Sequence, residues 1–327
     1  NDLVALNPLN KDCFLMSSEV FSWSPKEAHA QLAAAGPWDV LIVSGRPIDE
    51  PRACWSRTSL ETLPRIHLCR ADENTAQCFV VCAPGGQVTE VDWKTLGGWL
   101  ESHLPTHARV LVDMNLLGFD TLLYLLPALL GCQLGKLGCL YVAPENYTFP
   151  EQALTDQKLH PIEQPKGYIS LALDPDRQGA RHLVFLGFDK ARAWKFIDRY
   201  DWKEEHRYVV LGDPPFVPEG VARARGAAEP WLSEFERDYP DHVQAVSAVD
   251  PAIVAAFCKA HFAQARWLDL APLGPKPMNL GILWFYFGLT DKERGRVRLL
   301  YDFPIQSIPR SRGVARVYLY DCQRLLS

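Results

Sequence analysis

The sequence predicts an α/β protein whose mostly parallel sheet carries helices on both faces. Three features carry that prediction. Apolar runs of strand length alternate with longer segments of helical periodicity. Gly, Pro, Asp and Asn gather just after the apolar runs, where turns fall. The stretch Trp267 to Gly281 shows the pattern whole: a strand over Trp267–Ala271, a loop of Pro272-Leu273-Gly274-Pro275-Lys276-Pro277, and a helix from Met278. Pro277 suits a first helical turn, where an NH is not needed, and Gly274 can take backbone shapes closed to other residues.

Taken in order, Asn1 to Ser24 is weakly periodic, and Ser24 can cap a helix over Pro25–Ala35 that Gly36-Pro37 ends. Asp39–Ser44 reads as a strand. Arg65–Cys69 and Gln77–Cys82, split by a polar turn, read as a hairpin or two neighbouring strands. Val91–Leu104 has helical spacing, weakened by Gly97-Gly98. Arg109–Asp113 is a strand, Phe119–Leu130 a helix and Leu137–Val142 a strand. Thr148 to Gly167 turns polar and proline-bearing, which sets a boundary between residues 1–165 and 166–327, or a long loop within one domain.

The second half repeats the alternation. Strands are expected at Tyr168–Leu173, His182–Gly187, Tyr208–Leu211 and Val243–Val249, with helices at Lys190–Tyr200, Trp231–Tyr239 and Pro251–Ala263. Asp250 is placed as an N-cap. Arg296–Tyr301 and Val314–Tyr320 close the chain as a C-terminal pair of strands. The whole reads as a doubly wound, Rossmann-like arrangement, with two similar halves as one option.

Composition narrows the partners. Hydrophobic residues make up 48% and charged residues 22% of 327, ordinary for a globular chain. A net charge of −5 argues against general nucleic-acid binding. Nine cysteines, several inside apolar runs, suit small core residues in a reducing, cytoplasmic setting better than a disulfide framework. The most apolar region, Leu116 to Ala143, is broken by Asp120, Pro127, Gly131 and Lys136, which argues against a membrane span.

In open parallel sheets ligands bind beyond the carboxyl ends of the strands. The turns that follow the expected strands would share that edge. Lys276, beside a helix start, and Arg312, in Arg310-Ser311-Arg312-Gly313, are the candidate anion contacts, with Asn279 as an amide donor. Asp113, Asp189 and Asp213 end strands; each is also a sound capping or turn residue. No GxGxxG, GxxxxGK[ST] or GxSxG signature occurs; Cys78, Cys82, His103 and His107 have spacings that could suggest zinc, but along a strand Cys78 and Cys82 lie on one face some distance apart, which argues against it.

In overall pattern, and in the short loop Gly274-Pro275-Lys276-Pro277-Met278, the chain resembles the CARF and SAVED nucleotide-sensing domains, whose ligand loop often reads G-T-K-x-M. The resemblance implies a binding role for Gly274 and Lys276, although Pro275 stands where a threonine hydroxyl is usual. The leading expectation is a protein that binds a nucleotide or another phosphorylated small molecule, as a sensor or accessory subunit. A nucleotide-processing hydrolase or transferase using Asp113 or Asp189, and a protein-interaction scaffold, stand as alternatives. No cofactor is indicated.

Overall fold

The structure, a computed structural model, describes residues 20–45, 51–71, 78–147, 179–188, 192–193, 197, 202–229, 231–301 and 311–322. The first part of the chain gives β1 (Val20–Trp23), α1 (Pro25–Ala34), β2 (Val40–Ser44), α2 (Pro51–Ser59), β3 (Arg65–Arg70), β4 (Cys78–Cys82) and β5 (Val88–Asp92). It continues with α3 (Leu96–His103), β6 (Arg109–Asp113), α4 (Phe119–Leu130), β7 (Lys136–Ala143) and the short β8 (Asn146–Tyr147). Then come β9 (Ala180–Phe185), β10 (Arg207–Gly212), α5 (Gly220–Ala228), α6 (Trp231–Asp238), β11 (Val243–Val246) and α7 (Pro251–Gln264). The chain finishes with β12 (Trp267–Pro272), α8 (Lys276–Phe287), α9 (Asp291–Arg294), β13 (Val297–Leu299), β14 (Ser311–Arg312) and β15 (Arg316–Asp321).

Two large sheets result. The first is mixed and eight-stranded, ordered β1-β15-β7-β6-β2-β3-β4-β5. Its centre, β7-β6-β2-β3, is parallel, and the flanking strands are antiparallel. The second is five-stranded, ordered β11-β10-β9-β12-β13, and parallel throughout. Strands are added outward from β9 in one direction through β11, and then from β12 in the other. The order therefore reverses between β9 and β12.

Strand alternation explains why both sheets are covered twice. Along β2, Val40 and Ile42 enter one apolar cluster, while Leu41 and Val43 enter another beneath α1. Along β9, Leu183 and Phe185 point to the face of α7 and α8, while Val184 and Leu186 point to the face of α5 and α6. The cluster that holds α3 and α4 against the first sheet is continuous with the one that holds α7 and α8 against the second. The two sheets thus share a core.

Several expectations are corrected. Val91–Leu104 is not one helix: β5 ends at Asp92, and α3 begins only at Leu96. The Asp92 carboxylate accepts from the amides of Lys94 and Thr95 at 2.9 Å each, and that turn separates the strand from the helix. The C-terminal strands do not pair with each other. β13 joins the second sheet, whereas β15 returns to the first and lies between β1 and β7. The expected boundary near residue 165 is therefore crossed by the last strand. Tyr168–Leu173, and most of the helix expected over Lys190–Tyr200, lie outside the described residues.

A buried polar row runs across the second sheet. Arg207, His182, Asp269 and Arg298 occupy neighbouring register positions on β10, β9, β12 and β13. All four are buried, Asp269 at 0% exposure. Arg298 donates to Asp269 through Nε at 2.8 Å and a terminal nitrogen at 2.5 Å, and His182 Nδ1 lies 2.8 Å from Oδ2. Burial pushes the Asp269 carboxyl up, but the bonds from His182 and Arg298 prevail and hold it below the usual range. Burial pushes the His182 imidazole down, against the pull of Asp269. The ring is therefore neutral and the carboxylate ionised, so Nδ1 carries the proton and donates. The other imidazole face stacks on Trp202, 4.6 Å between centroids.

Two predictions follow from this row and its surroundings. Asp269→Asn removes the carboxylate that Arg298 faces inside the sheet, and should cost about 3–5 kcal/mol in denaturant unfolding. Acid should also destabilise the fold. His182 is held below its ordinary value, and His261 is pushed to about 4 by burial and by the Arg181 charge. Below about pH 6.5 the unfolded chain takes protons that these rings refuse when folded, at up to about 1.4 kcal/mol per pH unit for each ring. Unfolding midpoints measured between pH 7.5 and 4.5 should fall steadily, and His261→Gln should flatten part of the slope.

Candidate functional site

The ends of the second sheet build a cavity where the strand order reverses. Leu186-Gly187-Phe188 follows β9, Gly212 ends β10, and Pro272-Leu273-Gly274-Pro275 leads from β12 into α8; all line it. The first sheet contributes Tyr141 from β7, together with Tyr147 of β8 and Arg52 of α2. Arg192 and Tyr301 complete the polar wall, and the cavity encloses about 200 Å³.

Close backbone approach explains the glycines. A Cβ on Gly187 would lie 2.4 Å from the Leu273 carbonyl oxygen. One on Gly212 would meet Ala248 Cβ at 2.9 Å and Met278 Sδ at 3.1 Å, and one on Gly274 would meet Met278 Sδ at 3.2 Å. The missing side chains let β9, β10, β12 and α8 crowd together, so peptide groups form much of the floor.

The helix begins at this floor. Pro275 is the N-cap of α8, Lys276 is its first residue and Pro277 its second. Pro277 has no NH to leave unpaired, which fits that position. The first turn of a helix presents amides without intrahelical partners and the positive end of the dipole. Lys276 is partly buried, and its ammonium donates to the Leu117 carbonyl in the connection before α4. It thereby joins the two sheets at the cavity wall. Asn279, one turn in, is 7% exposed, and its Oδ1 is itself buried and accepts no hydrogen bond from the described residues.

Three cationic side chains among the described residues line this space: Arg52, Arg192 and Lys276. Among the described lining residues there is no carboxylate. Arg52 is buried, with its guanidinium 5.7 Å from the Tyr147 ring centroid; that of Arg192 lies 5.8 Å from the Tyr301 ring. Tyr141 and Tyr147 share a hydroxyl-to-hydroxyl bond of 2.9 Å, and burial pushes the Tyr141 phenol well up. The Tyr301 hydroxyl accepts from the Phe119 amide at 3.4 Å.

Of the residues singled out in the sequence, Gly274, Lys276 and Asn279 meet here. Asp113 does not line the cavity. It is 3% exposed, and its carboxylate accepts from the Ser56 hydroxyl and from the Asn115 amide and side chain at 2.9 and 2.6 Å. Burial pushes its carboxyl up, against those bonds and the Arg52 charge. It organises the turn after β6, where Asn115 Oδ1 in turn accepts from the Val142 amide at 3.0 Å. Asp213 is exposed after β10, its amide bonded to the Val246 carbonyl at 2.8 Å. Arg312 is exposed on β14, paired in register with Asn146, and is absent from the lining. Asp189 and Arg310 lie outside the described residues. Arg52 carries no signal in the sequence: α2 has no apolar stripe, and only the fold brings it to the second sheet.

No group of three or more His, Cys, Asp or Glu suited to a metal ion occurs among the described residues. No described helix is long and apolar enough to cross a membrane. Comparison with protein-family models, curated proteins and solved structures finds no match.

The Gly187 contact makes a direct prediction. Gly187→Ala forces its Cβ against the Leu273 carbonyl and should lower stability by roughly 1–3 kcal/mol, read from thermal or denaturant unfolding.

Proposed function

We propose that this chain binds a nucleotide or another phosphorylated small molecule in the cavity, and acts as a sensor or accessory subunit. The observation that carries the reading is that Arg52 and Arg192 line one cavity with Lys276, the first residue of α8, with no carboxylate among the described lining residues. Cations desolvated on one side, together with helix-start amides, favour a phosphate or carboxylate guest. The position supports the same reading, because the cavity lies beyond the carboxyl ends of parallel strands where their order reverses. On this view the second sheet is a Rossmann-like unit. The likeness of the Gly274–Met278 loop to the CARF ligand loop points to the same two residues.

Catalysis by Asp113 finds no support, since its carboxylate is engaged by Ser56 and Asn115 away from the cavity. The binding reading is tested by thermal shift on the full chain with nucleoside phosphates, sugar phosphates and inorganic phosphate. Stabilisation should reach about 2.7 kcal/mol at a hundredfold excess over Kd, and should shrink as salt rises. Lys276→Ala should abolish the shift, and Arg192→Gln should reduce it. No stabilisation by any of these anions, or an unchanged shift in both variants, rejects the assignment.

A further inference from the structure

We propose that the ligand is of nucleoside monophosphate size, its anion held by the cationic wall and its planar aromatic ring by a ring-lined wall. This rests on the anion-binding reading above and narrows it. The first support is that cations and aromatic rings line one and the same cavity: Arg52, Arg192 and Lys276 share it with Tyr141, Tyr147, Phe188 and Phe216.

The second support is how those rings are held. Tyr141, Tyr147, Phe188 and Phe216 all line the cavity. They meet in two edge-to-face pairs, Tyr147 with Phe188 at 5.1 Å and Tyr141 with Phe216 at 4.9 Å between centroids. Rings held by other rings make a stiff apolar surface, which a base can pack against with little loss of side-chain freedom. The third support is size. At about 200 Å³ the cavity lies below the roughly 300–1,000 Å³ usual for ligand pockets, which leaves room for one mononucleotide at most and none for an oligonucleotide.

The test is calorimetric titration of the full chain with AMP, GMP, CMP, UMP, ribose 5-phosphate, inorganic phosphate and a cyclic oligonucleotide. At least one monophosphate should bind roughly tenfold or more tightly than ribose 5-phosphate, the scale of one base stacked on an aromatic ring. Phe188→Ala should bring the ratio of those two affinities close to one, and Phe188→Tyr should preserve it, with circular dichroism melts confirming that both variants fold. Ribose 5-phosphate or phosphate binding as tightly as every nucleotide overturns the ring assignment while leaving the anion site standing. Tighter binding of the cyclic oligonucleotide overturns the size assignment. Failure of every probe to bind removes the anion reading as well.

Discussion

The buried carboxylate of Asp269 is the interaction on which most of the second sheet depends. It is fully enclosed, and it is ionised only because Arg298 and His182 donate to it from the strands on either side. Such a group tolerates one alignment of β9, β12 and β13. A one-residue slip would turn its neighbours to the opposite face and leave the charge without donors. Because the strands are parallel and share this register, their carboxyl ends finish level with one another. Gly187, Gly212 and Gly274 then arrive side by side, and the cavity is a product of that alignment.

The remaining walls come from the other sheet. Continuous packing through α4 and α8 brings the sheets together, and the Lys276 ammonium, bonded to the Leu117 carbonyl, fastens the seam where the cavity opens. The cationic site is thus composite. Lys276 and Asn279 come with the second sheet, while Arg52 is delivered by α2 and Tyr141 by β7. Neither sheet alone lines the cavity with all of these residues.

What the sequence made legible follows from how local each signal is. β6 and α4 were readable because their apolar residues form unbroken runs at the right period. α7 was readable because Asp250 caps it, accepting from the Ala252 amide at 2.9 Å. Gly274, Lys276 and Asn279 could be grouped from the sequence because the proline-rich loop and the helix start are contiguous, and all three line the cavity. α2 was not legible: its Pro-Arg-Ala-Cys-Trp-Ser-Arg-Thr-Ser segment has no stripe, and it buries Arg52 and Ser56 through tertiary contacts. The polar row escaped for a related reason. Each of its members stands alone in or beside an apolar run, and only pairing between distant strands makes a set of them. The destination of β15 was hidden likewise, since nothing in Val314–Tyr320 says which sheet it will join.

The return of β15 has a consequence for how the polypeptide is made. The five strands of the second sheet are enclosed in sequence by β8 and β14, which pair with each other as Tyr147 with Ser311 and Asn146 with Arg312. The later unit is therefore a guest inserted in a host. The place between β1 and β7 stays unfilled until the ribosome has delivered the whole second sheet. Non-local pairing of this kind is slow, and unfilled strand edges invite wrong partners. A nascent chain stalled before Arg316 would leave β7 as an open edge of the larger sheet and β1 without the strand it pairs with, and both would stay exposed to wrong partners until β15 is made.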